Sequence, residues 1–181
     1  GNMSTRRVAL SNGQFAVRGD QRAVTVSGPV RAGESAIQNV RWTEHIGRAE
    51  GAASSEYQIS GDFDANDLER LGYPVAQYAQ GRIGVTVTGQ GRGFDVDNAR
   101  IDLDLRNAAV QLPRDFWTKR AGQAASARFV VQRQSDGGLA FNDIDARGAG
   151  LLAQGRARLA RDNTLLEVDL PRLVVEGSAD A

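Results

Sequence analysis

The sequence predicts a mainly β protein: a curled antiparallel sheet, meander-like and either groove-forming or a partly open sandwich, with one short helix near residues 65–71. Three observations predict it. Apolar and polar residues alternate with period two through most of the chain, which marks strands with one face buried. Glycine-rich or polar turns recur about every ten residues. One segment carries the punctuation of a helix.

Val24 and Val26 alternate with Thr25 and Ser27, and Val85 and Val87 with Thr86 and Thr88. Ile101, Leu103 and Leu105 share one face, opposite Asp102, Asp104 and Arg106. Ala127, Phe129 and Val131 alternate with Arg128 and Gln132, and Leu166, Val168 and Leu170 with Glu167 and Asp169. Turns are expected at Asn12-Gly13, Gly28-Pro29, Gly89 to Gly93, Asp136-Gly137-Gly138 and Asp162-Asn163. The Asp136-Gly137 turn, between Val131 and Phe141, closes a hairpin. In the helical segment Asp64 caps the free amides of residues 66 and 67, Asp67 lies in the first turn, Gly72 takes the left-handed end and Pro74 stops continuation. Phe63 and Leu68 occupy the staple positions, and residues 75–80 add a second turn. The stretches Arg22 to Gly28 and Arg82 to Gly89 are alike, yet no third copy follows; recurring strand chemistry accounts for the likeness.

Composition narrows the function. Lys and Arg number 22, Asp and Glu 22, so the chain lacks the basic footprint of a nucleic-acid binder. With 181 residues, 41% of them hydrophobic, it can bury a core without staples. The absence of cysteine removes disulfides, thiolate nucleophiles and cysteine metal sites. No apolar run approaches the roughly 18 residues of a membrane-spanning helix. Residues 1–181 are expected to form a single β-rich domain, excised from a longer membrane-anchored protein, with residues 1–3 tag-derived.

Several patterns resemble sites and are better explained by structure. Asp62, Asp64 and Asn66 have the opening spacing of a calcium loop, but Asp67 stands where glycine is needed and Tyr73 where a bidentate glutamate is needed. Helix capping accounts for them. Gly89, Gly91 and Gly93 follow a strand, yet Phe94 replaces the last glycine of a dinucleotide fingerprint and another strand follows. His45, the only histidine, neighbours Glu44 and Trp42 without any nucleophile motif. Asp102 and Asp104 read as a solvated charge ladder rather than a catalytic carboxylate pair. Phe116 and Trp117, beside Lys119 and Arg120, plug an open end of the sheet, with membrane or partner contact as the other use. The chain is expected to be noncatalytic, with no metal or cofactor site.

The segment Ile101 to Val131 (IDLDLRNAAVQLPRDFWTKRAGQAASARFVV) resembles a signature of the AsmA-like superfamily, in particular its YhdP-like branch of large Gram-negative envelope proteins. It has an alternating strand, then Ala109 to Pro113, then an aromatic-x-Lys-x-x-Gly element at Trp117, Lys119 and Gly122, then a step into another strand. Trp42-Thr43-Glu44, Tyr57 to Leu71 and Gly148 to Gly155 match further elements in order, so the likeness spans about residues 22 to 170. Arg114-Asp115-Phe116 and Arg120 depart from the pattern where Leu-Gly and proline are usual. The resemblance implies a curled sheet whose concave apolar groove carries phospholipid through the periplasm between inner and outer membranes, in a parent anchored by one inner-membrane helix. Val85, Val87, Ile101, Leu103, Leu105, Phe129 and Val131 would line that groove for a phospholipid or other acyl-chain ligand, with neighbouring segments of the parent as partners. The other expectation is a structural or assembly module of the cell envelope that stacks on neighbouring β segments.

Overall fold

The computed structural model describes residues 10–176 apart from 50, 51, 72, 74, 94, 114, 115 and 163. Among them the chain forms β1 (Leu10–Ser11), β2 (Ala16–Gly19), β3 (Ala23–Ala32), β4 (Ser35–His45), β5 (Ser55–Asp64), α1 (Ala65–Arg70), β6 (Ala79–Arg92), β7 (Asp95–Asp104), β8 (Ala108–Gln111), β9 (Thr118–Lys119), β10 (Ala125–Arg133), β11 (Leu139–Gly148), β12 (Leu151–Leu159) and β13 (Leu165–Val175). The main sheet runs β1-β3-β4-β5-β6-β7-β10-β11-β12-β13, with β2 also on β3, and with β8 joining the start of β6 to β9. Successive strands pair antiparallel. The meander does not close on itself: β13 is paired to β12 alone, and β1 and β2 form the other edge. Residues 1–3, where the tag scar is expected, lie outside the described residues.

Because opposed residues of antiparallel strands share a face, the register sorts the alternation into rows. Val85 opposes Leu103, which opposes Ala127; Val87 opposes Ile101, which opposes Phe129. On the other face Thr86, Asp102, Arg128 and Asp145 form the matching polar row.

Two expected turns are corrected. Gly28-Pro29 lies inside β3, and the chain reverses at Gly33-Glu34 instead. The register shifts between Gly28 and Val30, so Pro29, which has no N–H for the ladder, sits at a bulge. Of the run Gly89 to Gly93, Gly89 and Gly91 belong to β6 and only Gly93, at φ +59, lies in the turn. A Cβ on Gly91 would come within 1.9 Å of the Asp95 carbonyl oxygen, so glycine permits the close approach at the bulge between Gln90 and Gly91. The Asp136 hairpin forms as expected: Gly137 takes φ +83, and the Gly138 amide donates to Asp136 Oδ1 at 2.8 Å. At the β12–β13 turn the Thr164 amide donates to Asp162 Oδ1 at 2.9 Å; Asn163 lies outside the described residues.

Helix α1 ends at Arg70, with Leu71 as its C-cap, and the Asp64 carboxylate accepts the Asn66 amide. Gly72 and Pro74, expected to end the helix, lie outside the described residues. The second turn expected over 75–80 is shorter: Tyr78 and Ala79 donate to the Val75 carbonyl, and Ala79 already begins β6.

Between β7 and β10 the chain leaves the sheet to build β8 and β9, and this excursion makes the main core. Ala65, Ala79, Ile83, Ala108, Val110, Trp117 and Ala125 are buried together, with Leu68, Leu105, Leu112 and Leu151 packed on them. A second cluster of Val30, Ala32, Ile37 and Phe63 adjoins it through Leu68 and Val85. Both lie at one end of the strands. They plug that end of the apolar face.

Candidate functional site

All seven residues expected to line a groove fall on the one apolar face, half-buried, but they divide into two groups. Val85, Leu103 and Leu105 pack against the plug, so the chain's own side chains occupy that part of the face. Val87, Ile101, Phe129 and Val131 lie farther along the strands. Beyond them the register adds residues that period-two reading missed. Trp42 opposes Tyr57, Ile59 opposes Val87, and Val131 opposes both Ala99 and Phe141. The Phe129 and Phe141 rings lie 5.8 Å apart at 51°, an aromatic pair joining β10 to β11. The Tyr57 hydroxyl donates to the Gly93 carbonyl, which fixes that ring at the end of the sheet opposite the plug. The available surface is thus aromatic and aliphatic, spans β4 to β11, and stops at the plug.

The plug is held by the element identified from sequence as aromatic-x-Lys-x-x-Gly. Trp117 is 6% exposed, and its Nε1–H donates to the Ala149 carbonyl at 2.8 Å. Lys119, the chain's sole lysine, is 4% exposed; its Nζ donates to the Leu105 carbonyl at 2.7 Å and to that of Ala108. Burial lowers its pKa, partly offset by Asp104. Gly122, at φ +93, donates its amide to the Arg106 carbonyl at 2.7 Å. The element is therefore a clasp that ties β9 and its flanks to the ends of β7 and β11. Phe116 differs from the expectation: it is 47% exposed and does not share the plug with Trp117.

The other face is charged and self-paired. A depression of about 890 Å³ is lined by Gln38, Asp62, Asp102, Arg128, Asp145 and Arg147 among others. Arg128 pairs with Asp102. Arg147 binds Asp145 through two bonds, at 2.6 and 2.8 Å, and this guanidinium holds the Asp145 carboxyl below its ordinary range against the opposing effect of burial. The Asp102 and Asp104 ladder thus makes ion pairs and turn contacts, since Asp104 accepts the Arg106 amide at 2.9 Å.

Strand alternation separates the residues around His45. Its Nε2 lies 3.0 Å from Glu56 Oε1, whereas Glu44, on the opposite face, accepts the Ser55 hydroxyl. The Ser54 and Ser55 hydroxyls hold the Glu44 carboxyl below its ordinary range. Among the described residues Glu44, His45 and a serine do not meet in one cleft.

The carboxylates of the calcium-like run are also individually engaged. Asp62 accepts from Gln38 at 2.8 Å, and Asp64 caps α1. Asp67, 1% exposed, accepts the Glu34 amide, the Ser35 amide and the Ser35 hydroxyl on Oδ2 at 2.8, 3.0 and 2.8 Å, and Arg70 on Oδ1 at 2.8 Å. Burial raises its pKa, but these bonds outweigh burial and leave it lowered. Among the described residues no group of three or more metal-ligating side chains occurs, and no helix is long and apolar enough to cross a membrane.

No family model, no curated protein and no solved structure matches the chain.

Proposed function

We propose that the chain is a noncatalytic segment of a periplasmic AsmA-like protein, its parent anchored in the inner membrane, and that it lines or supports a hydrophobic groove for phospholipid moving between inner and outer membranes. The observation that carries this reading is the continuous apolar face from Trp42 and Tyr57 through Val87, Ile101, Phe129 and Phe141. Its side chains are half-buried, with no second sheet laid over them among the described residues. A sheet of one layer must cover such a face. An acyl chain does so at about 0.8 kcal/mol per methylene removed from water. The paired charges of the opposite face keep that side in water.

Lipid extraction and native mass spectrometry of the protein, directed to the periplasm of a Gram-negative host and purified without detergent, test the proposal. Phospholipid is expected to co-purify, and Ile101→Glu is expected to remove most of it while circular dichroism stays unchanged. A folded wild-type protein that carries no acyl chain would count against a conduit in this segment.

The open edge of β13 favours a second reading, an envelope assembly module that stacks edge to edge on further β structure.

A further inference from the structure

Between β1 and β2 the chain crosses an exposed step, Asn12-Gly13, that lies outside the ladder. Asn12 sits at φ +51, in the left-handed region that asparagine tolerates, and residues 12 to 15 are exposed. One backbone bond ties this segment to β3, from the Gln14 amide to the Pro29 carbonyl at 3.4 Å. Among the described residues the Asn12 side chain has no hydrogen bond and the Gly13 amide has no acceptor. A segment with so few ties opens readily, and Gly13 carries no side chain to crowd its own nitrogen.

Other steps of related chemistry are held. This is the chain's only Asn-Gly pair, and Asp136-Gly137 is its only Asp-Gly pair. Asp136 Oδ1 accepts the Gly138 amide at 2.8 Å, and the Gly137 amide donates to the Gln134 carbonyl at 3.0 Å. After Asn107 the Ala108 amide donates to the Leu105 carbonyl at 3.1 Å, and Asn66 gives its Nδ2 to Asp64 Oδ1 at 2.9 Å. In each the side chain or the following nitrogen is already engaged. At Asn12 both remain available, so the reacting atoms can meet.

We propose that Asn12-Gly13 is a site of spontaneous modification, at which the asparagine converts to isoaspartate and aspartate. The Gly13 nitrogen, having lost its proton to hydroxide, attacks Asn12 Cγ. The N–Cγ bond forms, the Cγ–Nδ2 bond breaks, and Nδ2 takes a proton from water and leaves as ammonia, closing a five-membered succinimide. Water then opens the ring without oxidation or reduction. Addition at Cγ gives aspartate; addition at the main-chain carbonyl carbon of residue 12 gives isoaspartate, whose main chain runs through Cβ and Cγ. Either product puts a carboxylate in place of a neutral amide, on a chain whose formal net charge is zero. Isoaspartate also adds one atom to the main chain between strands whose places on β3 are fixed, Ser11 opposite Arg31 and Ala16 opposite Ser27. Strand β1, with only two residues, is the one that gives way.

Tryptic peptide mapping of the intact chain, incubated at mildly alkaline pH in buffer and in parallel in urea, tests the site. The peptide from Val8 to Arg18 is expected to split into isoaspartyl and aspartyl forms at similar rates in both, and faster as the pH rises. Gly13→Ala is expected to slow the conversion several-fold; its Cβ would meet only the Phe15 ring, at 2.7 Å, a side chain that can turn aside. Hydrogen exchange at β1 is expected to quicken in the aged wild-type protein and not in aged Asn12→Ser. A folded chain that keeps Asn12 while the chain in urea converts, or that converts first at Asn66 or Asn107, would overturn the proposal. Conversion with exchange at β1 unchanged would overturn the release of that strand.

Discussion

Replacing Trp117 with alanine is expected to lower the unfolding free energy by about 3–5 kcal/mol, the range for truncating a large buried aromatic. The midpoint of thermal unfolding should fall by about 10 °C for a chain of this size. The indole is the largest member of the plug and ties the β8–β9 excursion to the turn before β12 through its bond to the Ala149 carbonyl. Alanine would leave a cavity in the cluster that holds Ile83, Val110 and Ala125 and would release that carbonyl from its donor. Trp117→Phe should cost less, about 1–3 kcal/mol, because the apolar contact mostly remains while the hydrogen bond is lost. Urea titration followed by circular dichroism measures both. A loss below 1 kcal/mol for alanine would mean that the plug does not hold the sheet together.

Asp67→Ala is expected to have the second largest effect, about 3 kcal/mol, and it should alter the pH profile as well. The carboxylate accepts two amides and a hydroxyl of the β3–β4 turn. Ser35 is fully buried, so its donors have no route to water, and each unmet buried donor costs about 1–3 kcal/mol. The sign of the pH effect follows from the lowered pKa. Well above the ordinary value of 3.8, the carboxyl is ionised folded and unfolded, and the full stabilisation is present. As pH falls past that value the unfolded chain takes up the proton first, so stability declines until the folded carboxyl is protonated too. Asp67→Asn should flatten this acid limb. Gly33→Ala should reproduce part of the loss, since Gly33 holds φ +63 and a Cβ there would lie 2.4 Å from Asp67 Oδ1. An unchanged acid limb in Asp67→Asn would show that another carboxylate sets acid stability.

Sequence periodicity reaches as far as the period-two rule holds. Ile101 and Leu103, like Val85 and Val87, lie on one face because no register shift interrupts β6 and β7 between them. The Asp136 hairpin and the Asp64 cap are equally local, each made by residues two positions apart. Bulges defeat the rule. Phe141 and Ile144 share a face only because the register shifts between them, with Asp143 at φ 51, and Pro29 disguises a bulge as a turn. Long-range partners defeat it differently. Nothing near Asp67 points to Ser35, 32 positions away, so a first-turn helix aspartate and a buried lock are indistinguishable in one dimension. Lys119 likewise draws its acceptors from positions 105 and 108. Phe116 and Trp117, adjacent aromatics, divide into one exposed and one buried ring, and only the indole has an N–H to give the Ala149 carbonyl.

The lipid groove is tested most directly by fluorescence quenching with phospholipid whose acyl chains carry bromine, because the chain's 2 tryptophans report different places. Trp42 lies on the available apolar face, and Trp117 is sealed inside the plug. With vesicles of brominated phosphatidylethanolamine and phosphatidylglycerol, the Trp117→Phe protein, emitting from Trp42, is expected to be quenched as lipid loads. The Trp42→Phe protein, emitting from Trp117, is expected to stay bright. Equal quenching of the two, or no quenching of Trp42 at saturating lipid in a protein still folded by circular dichroism, would contradict an acyl chain seated on this face.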